Sequence, residues 1–199
     1  MTRVARKPGR PRSAEADAAI NAKTLELLAT EGLRGLSVER VAEEAGVGKT
    51  TVYRRFPTKR HLVIGALQSL RAFEHDPLPD SGSVRGDLEE IGRRRIETMR
   101  RTGLPRLMPR LLSESADDPE LHRQIVDVFI RPARQPIVEL LRRGVERGEL
   151  RRDLDPELAT DMIAGAIVYR LLLSRANIRA VKDMPDRAID LLLQGASPE

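Results

Sequence analysis

The stretch "GLRGLSVERVAEEAGVGKTTVYRRFPTKRHLV", residues 32–63, decides the fold that we expect for this chain. Its apolar residues recur every three or four positions, which is the period of an amphipathic helix. The pattern predicts a short helix after the N-cap residue Ser37, followed by a tight turn through "AGVG". A second short helix then covers Lys49–Phe56, and Pro57 ends it.

The turn leads into Gly48, Lys49 and Thr50, which is also how a phosphate-binding P-loop ends. A P-loop needs another glycine five positions before Gly48, and it lies between a strand and a helix. Glu43 occupies that position, where its carboxylate would repel phosphate, and the residues before the turn have helical periodicity. The sequence therefore argues against a nucleotide hydrolase.

A helix-turn-helix explains the same residues, because its two short helices meet closely at a turn that contains glycine. The small residues Ala42, Ala45 and Gly46 permit that approach, and Val52 would anchor the second helix. Hydrogen-bond donors suited to phosphates and base edges would then face outwards, at Lys49, Thr50, Thr51, Tyr53 and Arg54. A solvated polar face would look similar, but the turn, the small residues and a basic N-terminus together favour DNA binding.

The net charge of +5 is concentrated at the N-terminus. Five cations precede the first acid of the chain and leave residues 13–199 formally neutral, namely Arg3, Arg6, Lys7, Arg10 and Arg12. The sequence predicts a basic, disordered arm over residues 1–12. Within it, "PGRPR" contains the Gly-Arg-Pro core of an AT-hook, which would place Arg10 deepest in a narrow A·T-rich minor groove. Nonspecific attraction of Arg10 and Arg12 to phosphates explains the same charges, and both interpretations stay open.

No alternating β pattern occurs along the chain, so the sequence predicts an all-α protein with about nine helices in total. The prolines and glycine of "EHDPLPDSGS", residues 74–83, indicate a linker. We therefore expect the arm at 1–12, a three-helix DNA-binding head with the helix-turn-helix at 13–75, and a larger helical domain at 76–199.

These residues resemble the TetR family of bacterial transcriptional regulators. The family pattern is Ala-x-x-Ala-Gly-Val, then Tyr-x-x-Phe, then a Lys that opens the next helix, and it is present as Ala42, Ala45, Gly46, Val47, Tyr53, Phe56 and Lys59. The resemblance covers roughly residues 14–70, whereas the rest of the chain matches mainly in length and helix count. Gly48 replaces the family's commoner serine at the start of the recognition helix, so we expect only its backbone N–H to contact DNA.

The resemblance implies a transcriptional regulator, most often a repressor, that binds a near-palindromic operator in double-stranded DNA as a homodimer. Two recognition helices would lie about 34–36 Å apart, in successive major grooves. Base edges or nearby phosphates would be contacted by Lys49, Thr50 and Arg54. The DNA backbone would be contacted by Ser37, Gly48, Thr51, Tyr53 and Lys59.

The resemblance also implies that residues 76–199 form an effector-binding and dimerisation domain, with the dimer made by helices near 156–194. A small-molecule effector would release the protein from DNA. The candidate pocket residues are methionine and aromatic side chains of this domain, namely Met99, Met108, Phe129, Met162 and Tyr169. For any single one of them, an ordinary place in the core is the favoured interpretation. Pro132 and Pro136 are expected to bend or split a long helix in this domain.

The sequence contains no recognisable enzyme site. It has no cysteine, its three histidines lack metal-ligand spacing, and it has no catalytic motif, so we expect neither an enzyme nor a cofactor or metal. The absence of a long apolar run and of a signal peptide predicts a cytoplasmic protein without a membrane span. An AT-hook-assisted architectural DNA-binding protein without an effector is the alternative function.

Deletion of residues 1–12 is expected to weaken DNA binding and to flatten its dependence on salt. The reason is that up to five cations, each of which releases a counterion on binding, leave with the arm. The measurement is the slope of log K against log salt concentration for the full chain and the truncated chain. An unchanged slope would exclude a role for the arm.

Overall fold

The computed structural model describes residues 12–71, 77–173 and 182–196. These ranges contain helices and turns and no strand, which confirms the predicted all-α fold. When a π-helical turn is counted with the α-helix it continues, the described residues form nine helical runs. The chain divides into two compact units, Met1–Ser69 and Leu70–Glu199. The boundary expected between residues 75 and 76 falls outside the described residues.

The first unit consists of helices that surround a small apolar core. They are α1 (Arg12–Gly35), α2 (Val38–Glu44), α3 (Lys49–Arg55) and α4 (Lys59–Arg71). Gly32 has φ 74° and ψ −169°, a conformation open to glycine, so the helical path of α1 breaks at this residue. Apolar side chains that are at most 2% exposed fill the core, namely Ile20, Leu27, Leu28, Leu36, Val41, Ala42, Val52, Leu62, Val63, Ala66 and Leu67.

The second unit contains the remaining helices and two π-helical turns. They are α5 (Val84–Thr102), α6 (Leu104–Glu114), α7 (Pro119–Ile125), the first π-helical turn (Val126–Ile130), α8 (Arg131–Glu146), α9 (Pro156–Val168), the second π-helical turn (Tyr169–Leu173) and α10 (Met184–Ala196). Helices α5, α8, α9 and α10 pack around one another: α5 contacts α8 and α10, and α9 contacts the same two helices.

The core of the second unit lies between those four helices. Gly144 of α8 allows a close approach, because a Cβ at this position would lie 2.9 Å from both Val84 Cγ2 and Leu150 Cδ1. The buried residues of this core are Val84, Leu88, Ile91, Ile137, Leu140, Leu141, Leu150, Ala159, Ile163, Ile189, Leu192 and Leu193.

Pro132 and Pro136 lie in α8 without stopping it. A proline lacks an N–H and its ring displaces the carbonyl four residues earlier, so a regular α-helix cannot run through it unchanged. The π-helical turn Val126–Ile130 immediately precedes α8 and widens the helical path there. The predicted long helix is therefore irregular: α7, the π-helical turn and α8 follow one another without a gap.

A buried carboxylate fixes the chain just before α5. Asp87 is 1% exposed, and its Oδ1 accepts a hydrogen bond from the backbone N–H of Ser81 at 2.6 Å. Two guanidinium groups face its Oδ2, that of Arg143 in α8 with Nη1 at 3.8 Å and that of Arg147, the C-cap of α8, with Nη1 at 3.9 Å. The paired cations offset the cost of burying this charge.

The same arginines hold the residues that the sequence assigned to a linker. Arg143 donates to the carbonyl of Pro79 at 2.8 Å, and Arg147 donates to Asp80 Oδ1 at 2.6 Å. The hydrogen bond from Arg147 lowers the pKa of the Asp80 carboxyl below its ordinary value. Residues 77–83 are therefore tied to the second unit, which corrects the linker prediction for that part of the stretch.

Replacement of Asp87 by alanine is expected to lower the free energy of unfolding by roughly 2–4 kcal/mol, because the Ser81 N–H and two arginines lose a buried partner. The measurement is urea unfolding followed by circular dichroism. The control is Asp153→Ala, which removes an exposed carboxylate bonded only locally to Arg151 and is expected to change little. Equal losses in the two variants would contradict the role of the buried network.

Candidate nucleic-acid interface and ligand cavity

Helices α2 and α3 are joined by a turn that holds them close together. Val41 O accepts a hydrogen bond from the N–H of Ala45 at 2.9 Å, and Ala42 O accepts one from Val47 at 3.0 Å. Gly46 between them has φ 66°, a conformation that glycine adopts without strain. The turn therefore directs α3 away from the end of α2, which is the geometry of a helix-turn-helix.

Helix α3 has one buried side and one exposed polar side. Val52 is fully buried and anchors the helix, whereas Thr51 is half-buried. The exposed side carries two cations, a hydroxyl and a phenol, at Lys49, Thr50, Tyr53 and Arg54. The structure thus brings the predicted contact residues of α3 together on one short helix.

Gly48 precedes α3 as its N-cap and offers no side-chain hydrogen bond. Its carbonyl accepts from the N–H groups of Thr51 at 2.8 Å and Val52 at 3.2 Å. Its φ of −65° is ordinary, and a Cβ there would meet nothing closer than 3.9 Å, so neither the backbone nor packing demands glycine. Because Gly48 has no side chain, no side-chain hydrogen bond caps the N-terminal N–H groups of α3.

The remaining predicted contact residues lie at the ends of neighbouring helices. Ser37 caps α2, because its Oγ accepts the N–H of Arg40 at 3.2 Å. Lys59 is half-buried and begins α4, whose N-cap Thr58 accepts the N–H of His61 at 3.3 Å. Arg10 lies outside the described residues, and so does the side chain of Arg12.

The sequence did not identify Glu39 as part of this surface. The hydroxyl of Tyr53 donates to Glu39 Oε1, across from α3 to α2. This hydrogen bond lowers the pKa of the Glu39 carboxyl and raises the pKa of the Tyr53 hydroxyl. A phosphate that binds Tyr53 would therefore displace a carboxylate that is already hydrogen-bonded to it.

Two contacts on the other side of α3 fix its position. Arg55 Nε lies 2.5 Å from Asp17 Oδ1 of α1, an ion pair in which the arginine side chain is only 17% exposed. Phe56 packs against Gly65 of α4, where a Cβ would approach the ring to 2.4 Å. These contacts connect α3 to both long helices of the first unit.

A cavity of about 340 Å³ lies within the second unit. Its wall is mainly apolar and is formed by Leu78, Ile91, Arg94, Arg95, Thr98, Met99, Leu104, Pro105, Met108, Leu112, Phe129, Ile130, Ala133, Arg134, Pro136, Ala164, Ile167, Val168 and Leu171. The volume falls in the range of small-molecule sites. Three of the predicted pocket residues, Met99, Met108 and Phe129, line this cavity.

Met162 and Tyr169 do not line the cavity, and this corrects their assignment to it. They are 59% and 58% exposed on the outer face of α9 and of the π-helical turn that continues it. Leu158 lies one helical turn before Met162 and is 59% exposed, and Leu191 of α10 is 72% exposed. The outer apolar surface is defined by these four residues, Leu158, Met162, Tyr169 and Leu191.

The described residues contain no group of three or more histidines and acids placed to hold a metal ion. His61 is instead hydrogen-bonded to Thr58 in the cap of α4, and His122 faces Ser115 at 3.2 Å. No helix in the described ranges is both long and apolar enough to span a bilayer.

Two family models match the chain. The one for bacterial regulatory proteins of the tetR family matches residues 20–66, and the one for the tetracyclin repressor-like C-terminal domain matches residues 78–192. The HTH-type transcriptional regulator YdeS of Bacillus subtilis is 31% identical over 182 residues, which are 89% of this chain and 90% of YdeS. The DNA-binding transcriptional repressor TetR of Mycobacteroides abscessus is 31% identical over 159 residues, 78% of this chain and 82% of the relative.

Solved structures share the fold. The TetR family transcription regulator SCO0332 is 31% identical and superposes with a TM-score of 0.67, over 92% of this chain and 100% of its own. FadR from Bacillus subtilis, solved in complex with stearoyl-CoA, is 21% identical and superposes with a TM-score of 0.74 over 89% of this chain and 98% of its own.

Proposed function

The chain belongs to the TetR family of transcriptional regulators, and from this premise we propose that it is a ligand-responsive repressor. It binds a near-palindromic operator as a homodimer in the cytoplasm, and a small-molecule effector releases it. The observation that carries the proposal is the exposed polar side of α3, which the turn at Gly46 and the buried Val52 hold outwards. A short helix presented in this way fits the major groove.

The contact residues divide by the chemistry of their side chains. Lys49, Thr50 and Arg54 read base edges or nearby phosphates, because a guanidinium, an ammonium and a hydroxyl all donate to the acceptors of the major groove. Backbone phosphates are bound by the remaining set, namely Ser37, Gly48 through its N–H, Thr51, Tyr53 and Lys59. Phosphate contacts set the register on the duplex, and base contacts set the choice of sequence.

The operator can be found by selecting bound sites from random DNA and then footprinting the best site. The proposal expects one near-palindromic site with half-sites about one helical turn apart. Broad protection of A·T-rich DNA without a defined site would instead support the architectural alternative.

Tyr53→Ala is expected to weaken binding to all DNA sequences alike, whereas Arg54→Ala also relaxes the base preference by about 1–3 kcal/mol at one position. The measurement is the affinity of each variant for the selected operator and for operators with single base-pair changes. If Arg54→Ala lost affinity without any change in base preference, the assignment of Arg54 to a base edge would fail.

We propose that the homodimer forms through the outer apolar surface of α9 and α10. The surface suits a two-fold interface, in which the same patch of both copies is buried. Gly165 lies in the same stretch of α9, and a Cβ there would meet nothing within 4 Å, so a partner helix can approach closely. Large apolar side chains as exposed as Met162 and Leu191 are otherwise a liability for aggregation.

Met162→Glu is expected to convert the dimer to a monomer and to reduce operator affinity, because a buried charge without a partner is costly. The control is Gln135→Glu, which adds the same charge at an exposed position of α8 outside the outer apolar surface. The measurement is the molar mass by light scattering together with operator affinity. A dimeric Met162→Glu variant would place the interface elsewhere.

The cavity of the second unit is the proposed effector site. FadR, which shares the fold, was solved with stearoyl-CoA, so a chain of this fold can hold a ligand with a long acyl chain. An effector acts if it binds better to a conformation in which the two heads are wrongly spaced for the operator. Helix α4 connects the two units along the chain and is the natural element to transmit that change.

A further inference from the structure

The charged residues that line the cavity in the described part of the chain are all cationic. Three arginines, Arg94, Arg95 and Arg134, belong to a wall that otherwise consists of apolar residues and Thr98, with no aspartate or glutamate among the lining residues. Thr98 is already engaged, because its hydroxyl donates to the carbonyl of Arg94 at 3.0 Å. The described part of the wall thus offers cationic donors and no carboxylate to a ligand.

Arg134 has a donor that no described residue satisfies. Its Nη2 reaches outwards, to Asp161 Oδ1 at 2.8 Å and Glu157 Oε2 at 3.3 Å. Its Nε is buried and has no hydrogen-bond partner in the described part of the chain. A buried donor without an acceptor is unfavourable. The Nε is enclosed in this conformation, so a ligand oxygen could accept from it only after the Arg134 side chain moves towards the cavity.

Arg95 of α5 brings a second guanidinium to the same part of the wall. Its Nη2 donates to the carbonyl of Ala133, which is the residue before Arg134 and which also lines the cavity. Arg94 is held by Glu90 Oε1 at 2.7 Å and by the carbonyl of Pro77. Because Arg95 reaches the carbonyl of the residue next to Arg134, the head-group site is defined as Arg95 and Arg134.

The apolar space extends beyond the main cavity. A second cavity of about 80 Å³ shares the wall residues Arg95, Met99, Ala164, Ile167 and Val168 with the first. Its other lining residues are all apolar, namely Leu88, Gly92, Ile96, Ile137, Ile163, Pro185 and Ile189. Methionine changes rotamer readily, so a movement of Met99 would join the two spaces into one elongated apolar site.

We propose that the effector is an amphipathic anion, with an apolar chain in the two cavities and a carboxylate or phosphate head at Arg95 and Arg134. The inference rests on the proposed regulatory function. Charge-assisted hydrogen bonds from guanidinium groups to an anion are stronger than those to a neutral oxygen, so the charge of the head decides the affinity. A cationic head is repelled by the same site.

Isothermal titration with four probes of equal chain length tests the chemistry: decanoate, monodecyl phosphate, decanol and decylamine. The anions are expected to bind at least about tenfold more tightly than decanol, with decylamine the weakest. Decanoate binding better than monodecyl phosphate would identify a carboxylate head, and the reverse order a phosphate head. Equal affinity for decanol and both anions, or preference for decylamine, would overturn the proposal.

Variants locate the head-group site. Arg134→Met is expected to lose the preference for anions over decanol while retaining the affinity for decanol, since its exposed partners Asp161 and Glu157 remain hydrated. Arg134→Lys keeps the charge and is expected to retain part of the preference. Arg131→Met is the control, because Arg131 is an exposed α8 residue paired with Asp127 and outside the cavity wall. An anion preference unchanged in Arg134→Met and in Arg95→Met would overturn the site.

Operator binding is measured alongside the titration, so that failure of the anion inference can be distinguished from failure of the proposed function. Specific DNA binding that decanoate and monodecyl phosphate release supports both the inference and the proposed function. Specific DNA binding without selective binding of either anion overturns the inference alone. The absence of any specific operator overturns the proposed function, whatever the probes do.

Discussion

The close crossing of α2 and α3 is the constraint on which the first unit depends. A seven-residue helix is not stable alone in water, so α3 exists because Val52 is buried against its neighbours. The crossing needs a small, fully buried residue at Ala42, whose carbonyl also accepts the N–H of Val47. Since one side of α3 packs against its neighbours, the opposite, polar side faces solvent.

Most of the first unit could be predicted from sequence, because its determinants are local. The cap at Ser37 and the helical period of the apolar residues each depend on a few neighbouring positions. The contact between Tyr53 and Glu39 and the ion pair between Arg55 and Asp17 are different. They join residues of different helices that meet only in the folded protein, so no local sequence pattern predicts which acid pairs with which partner.

The second unit was less predictable, because the sequence does not show which side of each helix faces the interior. Helix α9 is apolar on nearly every side, so periodicity does not say which side chains face the cavity and which face outwards. Met162 and Tyr169 therefore looked like pocket residues, although Ala164 and Ile167 hold that place. The sequence also did not show that residues 77–83 are fixed. Their partners Arg143 and Arg147 lie more than 60 residues further along the chain, in α8 and at its C-cap.

Helix α9 belongs both to the cavity wall and to the outer apolar surface of the second unit. Its inner side lines the cavity through Ala164 and Ile167, and its outer side bears Met162 of the outer apolar surface. Its first turns also supply Asp161 to the guanidinium of Arg134. An anion bound at Arg134 would compete with that carboxylate for the same cation, and it would therefore act directly on the helix that carries the proposed dimer interface. In the proposed mechanism, cavity and interface would therefore be coupled through α9.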